Sequence, residues 1–583
     1  MRALLCCTAT LLAAAAPRTA VATSVPDPSR VRDDAALVAA VEAELARAVG
    51  AALPGQPAAW WGAAEVVDGD VSTAMATFGA LTGFDHAPYR ALRTELRVGD
   101  ATFDSGDFEP TFGGRDGVSM RGLPLDDLPP ALRREAWLAA DHALKGATEM
   151  LSARRAAREG RPPPETPLPA MHPAPPYTSG PVAAPPAEAE ATAALAAAIS
   201  ARLAVPGIEE GDAIARSWSG RRLLVTSEGT RGWMPTGFCV LRAEAIARDP
   251  DGARVRSTRS WVARTCAGLP PRATLEAETD ALVAAVLARA GAPIEREYLG
   301  PVLFEAPAAL ELFRQVLAGE IAGSPPPEAP PDPAAHDGLG PASGARIGRR
   351  LLPDGWSVVD DPSAAPGSAA SYTHDFEGVP ATPVSVVEDG VVRALLHSRI
   401  PRAGAEGSTG HGRALGDERR AALPAVVAVD PPRPRSGRAL RKAALRLGRE
   451  AGLPYVLVVK HMEPLALAQD FDIAFSGEGP LPGLTRPTEV VRLYPDGREE
   501  PVRGLQFVGV DRRVLRDIAA AGAPGPYIDE LDAAPGPGRY NLGPLGGLPV
   551  AWSVPAVVIT EMELRGGTNP EPRSYPPPPV AAR

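Results

Sequence analysis

Between Tyr372 and Gly412 the chain reads YTHDFEGVPATPVSVVEDGVVRALLHSRIPRAGAEGSTGHG, and this stretch constrains the fold more than any other. A polar lead-in with His374, Asp375, Glu377 and Gly378 gives way to an alternating apolar run. Such alternation places one face of a strand on a core and the other in water. Asp389-Gly390 supplies the pair that tight hairpin turns favour, because both central positions must accept positive φ. A second apolar run follows, then the small-residue loop Gly407-Ser408-Thr409-Gly410-His411-Gly412. The stretch reads as a β-hairpin delivering a flexible polar loop.

Elsewhere helical and strand patterns are mixed. Residues 33–49 have helical apolar spacing with Asp33 and Asp34 near the start. From Ala58 to Thr111 the pattern predicts three strands, AAWWGAAEVVDG, VSTAMATFGAL and RTELRVGDATFDS, with Gly and Asp between them. Helices are predicted over Leu132 to Arg158, Glu188 to Leu203 and Thr274 to Ala290, the last leading to a strand at Pro301–Phe304. A β-meander with turns at Glu228-Gly229 and Asp251-Gly252 lies between the second and third. Further on come a helix near Ser436–Ala451, the strand VLVVK, a turn at Tyr494-Pro495-Asp496-Gly497 and the strand RGLQFVGV. A helix over Asp511–Ala521 and a last strand near Val557–Leu564 close the pattern.

The chain of 583 residues is too long for one core. The expected fold class is α+β: an N-terminal α/β unit at 31–160, a central β-meander unit at 188–297 and a larger β-rich C-terminal domain at 298–565. Part of the 66 prolines falls in a linker at 161–187, expected to be extended and unburied, and in a mobile insert at 324–341. Residues 566–583 read as a disordered tail.

The net charge of −10 gives no general attraction to nucleic acid or anionic membrane. Residues 1–22 read as a signal peptide: Arg2 is positive, Ala3 to Ala16 is apolar, and Ala20-Val21-Ala22 is a cleavage pattern. No later stretch has the roughly 20 apolar residues of a membrane span. The expectation is an exported protein, periplasmic or extracellular, with no stable membrane insertion. Two cysteines then remain, Cys239 and Cys266, almost symmetric about the Asp249-to-Gly252 turn. They could form a disulfide across a hairpin or stay as two buried thiols, and the sequence leaves both open.

Four elements recur in a fixed order: Arg97-Val98-Gly99-Asp100, Thr226-Ser227-Glu228-Gly229, the STGHG loop, and LYPDGREEPVRGLQFVGV. This set resembles the TldD/PmbA (TldE) family, peptidase U62, formerly called modulators of DNA gyrase. The resemblance runs from about Ala58 onward, outside the two Pro-rich inserts. Catalytic members are metallopeptidases. In the family, TldD and TldE pair as a heterodimer around a chamber where an extended peptide adds to a sheet edge. The resemblance implies that the Asp389-Gly390 hairpin and the STGHG loop line such a chamber.

Catalytic TldD-type members carry an H-E-x-x-x-H helix, whose two imidazoles bind zinc while the glutamate takes a proton from metal-bound water. A later cysteine completes the ligand set. The matching helix here is APAALELFRQVLAGEIAG, after the strand Pro301–Phe304, and the matching positions are Phe313, Arg314 and Ala318. Phenylalanine and alanine have no donor atom, and arginine cannot act as a base. No His-Glu dipeptide occurs, and no cysteine lies beyond Cys266. His411 stands where PmbA/TldE-type members also tend to have histidine, so the chain resembles the metal-free side of the family.

The resulting expectation is a non-catalytic subunit with no metal site and no cofactor. It would bind extended peptides through Ser408, Thr409, Gly410, His411 and Asp375, and support a TldD-type partner or pair with itself. Two alternatives stand beside it. One is a zinc metallopeptidase with relocated ligands such as His374 or His411. The other is a secreted binding protein without peptidase activity. Ser408 with His411 could form a nucleophile pair, but no orienting acid is identifiable, and a flexible glycine loop is the simpler reading. Asp375 and Glu377 could be an acid/base pair, or solvated or capping carboxylates. Trp60 and Trp61 read as core or interface aromatics. There is no G-x-S-x-G elbow, Walker A loop or Rossmann glycine pattern.

Overall fold

The computed structural model describes residues 32–109, 117–160, 167–183, 185–329, 347–414, 419–464, 484–532 and 547–566. The signal segment, the tail beyond 566 and most of the 324–341 insert lie outside these residues. The first half contains α1 (Asp34–Ala48), β1 (Ala59–Thr77), β2 (Ala80–Val98), β3 (Val118–Gly122), α2 (Pro129–Arg158) and α3 (Ala189–Arg202). It continues with β4 (Glu210–Thr226), β5 (Arg231–Arg248), β6 (Arg254–Ala263) and α4 (Arg272–Ala290). The second half begins with β7 (Glu297–Phe304), α5 (Ala306–Ile321), β8 (Ser357–Asp360), β9 (Val384–Glu388) and β10 (Val391–Val392). Then come β11 (Gly412–Arg413), β12 (Ala421–Ala422), β13 (Val426–Asp430), α6 (Gly437–Glu450) and β14 (Val456–Met462). The described residues end with β15 (Pro487–Leu493), β16 (Glu499–Val502), β17 (Leu505–Phe507), β18 (Ile518–Pro524), β19 (Ile528–Asp532), β20 (Leu548–Ser553) and β21 (Pro555–Gly566).

The architecture is α+β. Among the described residues, twelve strands form one sheet in the order β10-β9-β8-β13-β20-β19-β6-β5-β4-β1-β2-β3. The N-terminal and central strand sets are therefore one surface: β1 pairs with β4 from Ala63 opposite Thr226 to Thr77 opposite Asp212. A second sheet runs β16-β15-β14-β7-β21-β17, with β18 also on β21. Val302 and Phe304 of β7 face α5, whereas Leu303 faces α6, which explains its unbroken apolar run. Helix α5 lies in the largest core, between strands of both sheets, with Leu312, Phe313 and Leu317 fully buried.

The region Ala58 to Thr111 departs from the three strands expected. It forms two 19-residue strands joined at Phe78-Gly79, and β1 runs unbroken through Gly69-Asp70. Gly69 sits opposite Gly220, and a Cβ there would lie 2.3 Å from the Ser219 carbonyl and 2.7 Å from the Trp218 ring. The glycine makes room for an indole lying on the sheet; it does not end a strand. One face of this ribbon, through Ala64, Val66, Leu92 and Leu223, packs on α1 and α2. The other face carries Glu65, Val67, Arg93 and Arg222, which meet as cross-strand neighbours.

Two further expectations are corrected. Helix 511–521 is replaced by a short 3₁₀ turn, Arg512–Leu515, and by β18, whose Ile518, Ala520 and Ala521 are buried along β21. The described part of the 161–187 segment is no free linker. Met171 packs against Trp61 and Ala63, the Ser179 N–H donates to the Arg231 carbonyl, and the Arg231 N–H donates to the Tyr177 carbonyl. An extended proline-rich backbone makes no internal hydrogen bonds, so its polar groups are available to a neighbouring strand. In the 324–341 insert, Glu328 is held by Arg154 and Arg158 of α2. Cys239, on β5, and Cys266, just past β6, are joined as a disulfide in a buried cluster that includes Leu241 and Leu275. No described helix is long and apolar enough to cross a membrane.

Candidate functional site

The Tyr372–Gly412 stretch folds around Asp375, which is fully buried. One oxygen of Asp375 accepts the N–H groups of Glu377 and Val379, and the other accepts that of Gly412, each at 2.8–2.9 Å. Its carboxylate therefore joins the lead-in of the hairpin to the end of the loop. Glu377, also buried, accepts the Arg399 N–H at 2.7 Å. Two glycines are required here. Gly410 has φ 76°, and a Cβ would sit 2.2 Å from the Pro380 carbonyl; at Gly412 it would sit 2.1 Å from Glu377.

The loop 407–412 is not the flexible element expected. The hydroxyls of Ser408 and Thr409 both donate to the His397 carbonyl at 3.1 Å, and the Thr409 N–H reaches the same oxygen. Thr382 donates to the Thr409 carbonyl, and Tyr372 to that of Gly410. Ser408 and His411 do not form a pair. The His411 side chain turns into the core, with Nδ1 beside Thr409 and Nε2 3.5 Å from buried Asp360. Ser408 and Thr409 instead line an open groove with Ile347, Val384, Leu395 and His397. The hairpin and the loop thus meet at this groove, while Asp375 and His411 lie behind its wall. Burial and Arg402 push the His397 imidazole down to about 4, so it is neutral near pH 7, and the charges on the groove are Arg393 and Glu406. His374 stacks on Tyr177 at 3.6 Å between ring centres.

The residue that ties this region to the rest of the chain is Arg399. It is 1% exposed. Its guanidinium holds both oxygens of Glu228 at 2.7 Å and donates from Nε to the His172 carbonyl. Trp61 donates to the same Glu228 carboxylate at 2.8 Å. The sequence contained one hint: Glu228 is the acid of the SEG turn. Nothing marked Arg399 as its partner across 171 positions.

Asp375 and Glu377 are not solvated loop acids. Burial raises both carboxyls, and the charge of Glu377 raises Asp375 further, while Arg399 pulls Glu377 back. The folded chain therefore keeps a proton that the unfolded chain releases near pH 4. Stability contributed by this pair is full below that pH and is lost as pH rises, until Asp375 ionises in the folded state. The slope is up to about 1.4 kcal/mol per pH unit for one proton. Glu377→Gln keeps an acceptor for Arg399 and removes the repelling charge, so it flattens this decline in urea melts taken from pH 5 to 9. Equal slopes in variant and parent would show that the pair holds no shared proton.

Position 313 faces the core, where Phe313 lies 6.4 Å from Trp356. Arg314 is 1% exposed at its side chain and pairs with Glu311, Glu530 and Asp532. Ala318 packs at the edge of the same core. These residues do not fit a zinc ion: a ring, a guanidinium and a methyl offer no lone pair. Among the described residues, no group of three His, Cys, Asp or Glu is placed to hold a metal.

Residues 300–429 match the family described as PmbA/TldA metallopeptidase C-terminal domain. No curated protein is significantly similar to the chain in sequence. Among solved structures, TldE from Thermococcus kodakarensis superposes with a TM-score of 0.56 at 12% identity, covering 91% of this chain and 100% of that one. A proposed modulator of DNA gyrase from Thermotoga maritima gives 0.54 at 14% identity, covering 86% of this chain and 96% of that one. Another, from Bacteroides thetaiotaomicron, gives 0.55 at 11%, covering 91% and 98%. The fold is thus that of the TldE-like α+β proteins. Residues 300–429 thus match a PmbA/TldA-type C-terminal domain, within a chain that shares the fold of these solved structures.

Proposed function

We propose that the chain is a non-catalytic, TldE-like subunit, exported by its N-terminal segment, that binds extended peptides and supports a TldD-type metallopeptidase. The observation that carries this reading is helix α5. At the positions matching the family's zinc helix it presents a core phenylalanine, a paired arginine and an alanine. The groove beside Ser408, Thr409 and His397 is the surface we assign to peptide, because its walls offer polar groups and apolar side chains, with one charge of each sign at Arg393 and Glu406.

The test has two parts. The mature protein, purified without chelator, is expected to contain near-zero zinc and to cleave no peptide alone. Mixed with an H-E-x-x-x-H homologue carrying its own signal peptide, it should co-elute and raise cleavage of unstructured peptides. One tightly held zinc per chain, or chelator-sensitive cleavage by the chain alone, overturns the reading. Absence of any such pairing, with a stable homodimer instead, would favour a secreted binding protein.

A further inference from the structure

A partly open cavity of about 360 Å³ lies between the outer face of the β2-β1-β4-β5 ribbon and the C-terminal loops at 369–376, 413–414 and 547–549. Its size falls in the range of small-molecule sites. The floor is apolar, with Val67, Ala91, Met234 and Phe238. Trp218 lies over the paired glycines Gly69 and Gly220, its indole fixed by a 2.8 Å hydrogen bond to Thr236. Opposite the floor stand Tyr372 and Phe376.

The charges around this space do not balance. Glu65 at the rim is shared by Arg222 at 3.1 Å and Arg420 at 2.7 Å. Arg420 reaches Glu95 as well. Two further guanidiniums line the space without a carboxylate partner among the described residues. Arg413, 2% exposed, donates only to the carbonyls of Pro424 and Pro549, and its Nε is buried with no acceptor. Arg264 donates to the carbonyls of Ser368 and Ser371, and its Nε also lacks an acceptor. Asp360, Asp532 and Asp375 act on Arg413, and Asp529 on Arg264, only through space and without an ion pair, so each guanidinium retains much of its desolvation cost, which an incoming anion offsets. Arg413 also lies over the Tyr372 ring and Arg222 over Phe376, so the cations are aimed by the aromatic walls.

We propose that this cavity is a binding site for an organic carboxylate with an apolar or aromatic body, its carboxylate at Arg413 and Arg264 and its body on Trp218 and Phe238. The site is separate from the outer groove and does not depend on the proposed subunit role. The carboxylate belongs to a free small acid or to the C-terminus of a peptide, and the experiment distinguishes them.

Calorimetric titration of the full mature chain uses 3-phenylpropionate, its neutral amide, and a tetrapeptide ending in phenylalanine with a free or an amidated C-terminus. Saturable binding of phenylpropionate but not of its amide is expected, and it should weaken with salt. If the free-acid peptide also binds and its amide does not, the ligand is a peptide end; if only phenylpropionate binds, it is a small acid. Arg264→Gln, which keeps a donor for the loop carbonyls, should weaken binding at least tenfold with melting unchanged. Arg413→Gln should do the same if it folds, and Arg264→Gln decides the matter if it does not. No saturable binding at millimolar ligand, equal binding of acid and amide, or unchanged affinity in Arg264→Gln overturns the proposal.

Discussion

Arg399→Met should lower the unfolding free energy by about 3–5 kcal/mol, the usual cost of breaking a buried ion pair by removing one partner. The Glu228 side chain is 29% exposed, so water recovers part of the loss and the lower end applies. The variant leaves Glu228 with only the Trp61 indole among its described partners and leaves the His172 carbonyl without its donor. Three segments distant in sequence meet at this one guanidinium, so the damage should spread. We expect the 167–183 segment to become open to proteolysis before the rest of the chain unfolds. Glu228→Gln should cost less, because an amide still accepts and Arg399 keeps its carbonyl. Adding it to Arg399→Met should cost little more, since the two changes remove the same interaction. Urea melts of the three variants decide it, and a loss below about 1 kcal/mol for Arg399→Met would refute the account.

Arg314→Glu should prevent folding altogether. The guanidinium neutralises Glu311, Glu530 and Asp532 in a buried cluster, and burial, helped by Glu311 and Asp532, already holds Glu530 above the usual carboxylate range. A fourth carboxylate there would face three others away from water, at a cost well beyond the about 5–15 kcal/mol that holds a typical protein folded. Arg314→Gln removes the charge without reversing it and should cost about 3–5 kcal/mol. The same reasoning bears on restoring the family's zinc helix. A chain with F313H, R314E and A318H should be insoluble, because residue 313 points into packed core and residue 314 into an acidic cluster. A soluble triple variant holding one zinc per chain would show that the helix still supports a metal site.

Much of the fold was legible. The turns at Asp389-Gly390, Glu228-Gly229 and Tyr494-Gly497 were marked by their residues, and the helices by apolar spacing and by caps such as Asp33 and Ser436. Failures came where tertiary contact overrode local pattern. Gly69 looked like a strand end because its reason, the Trp218 ring, lies on another strand. Residues 518–521 looked helical because short apolar runs do not distinguish a buried strand from a helix. The site was half legible. The 407–412 loop was found, but its flexibility was inferred from glycines that the structure uses for close contact with Pro380 and Glu377. Arg399 and the arginine-lined cavity left no local signal, since both are assembled from strands and loops hundreds of residues apart.

The placement of the last two strands governs when the molecule can fold. β20 lies inside the large sheet between β13 and β19, and β21 lies inside the small one between β7 and β17. During synthesis β1 to β6 can pair early, by hairpins and by the β1–β4 contact, but the large sheet is not continuous until Ser553, and the small one not until Gly566, has left the ribosome. Until then β7, β13 and β19 wait with bare edges and apolar faces, a state prone to aggregation. Such a nascent chain is a natural client for a chaperone, and a stop codon at Leu548 would remove β20 and β21 together, cutting both sheets at once rather than trimming an end.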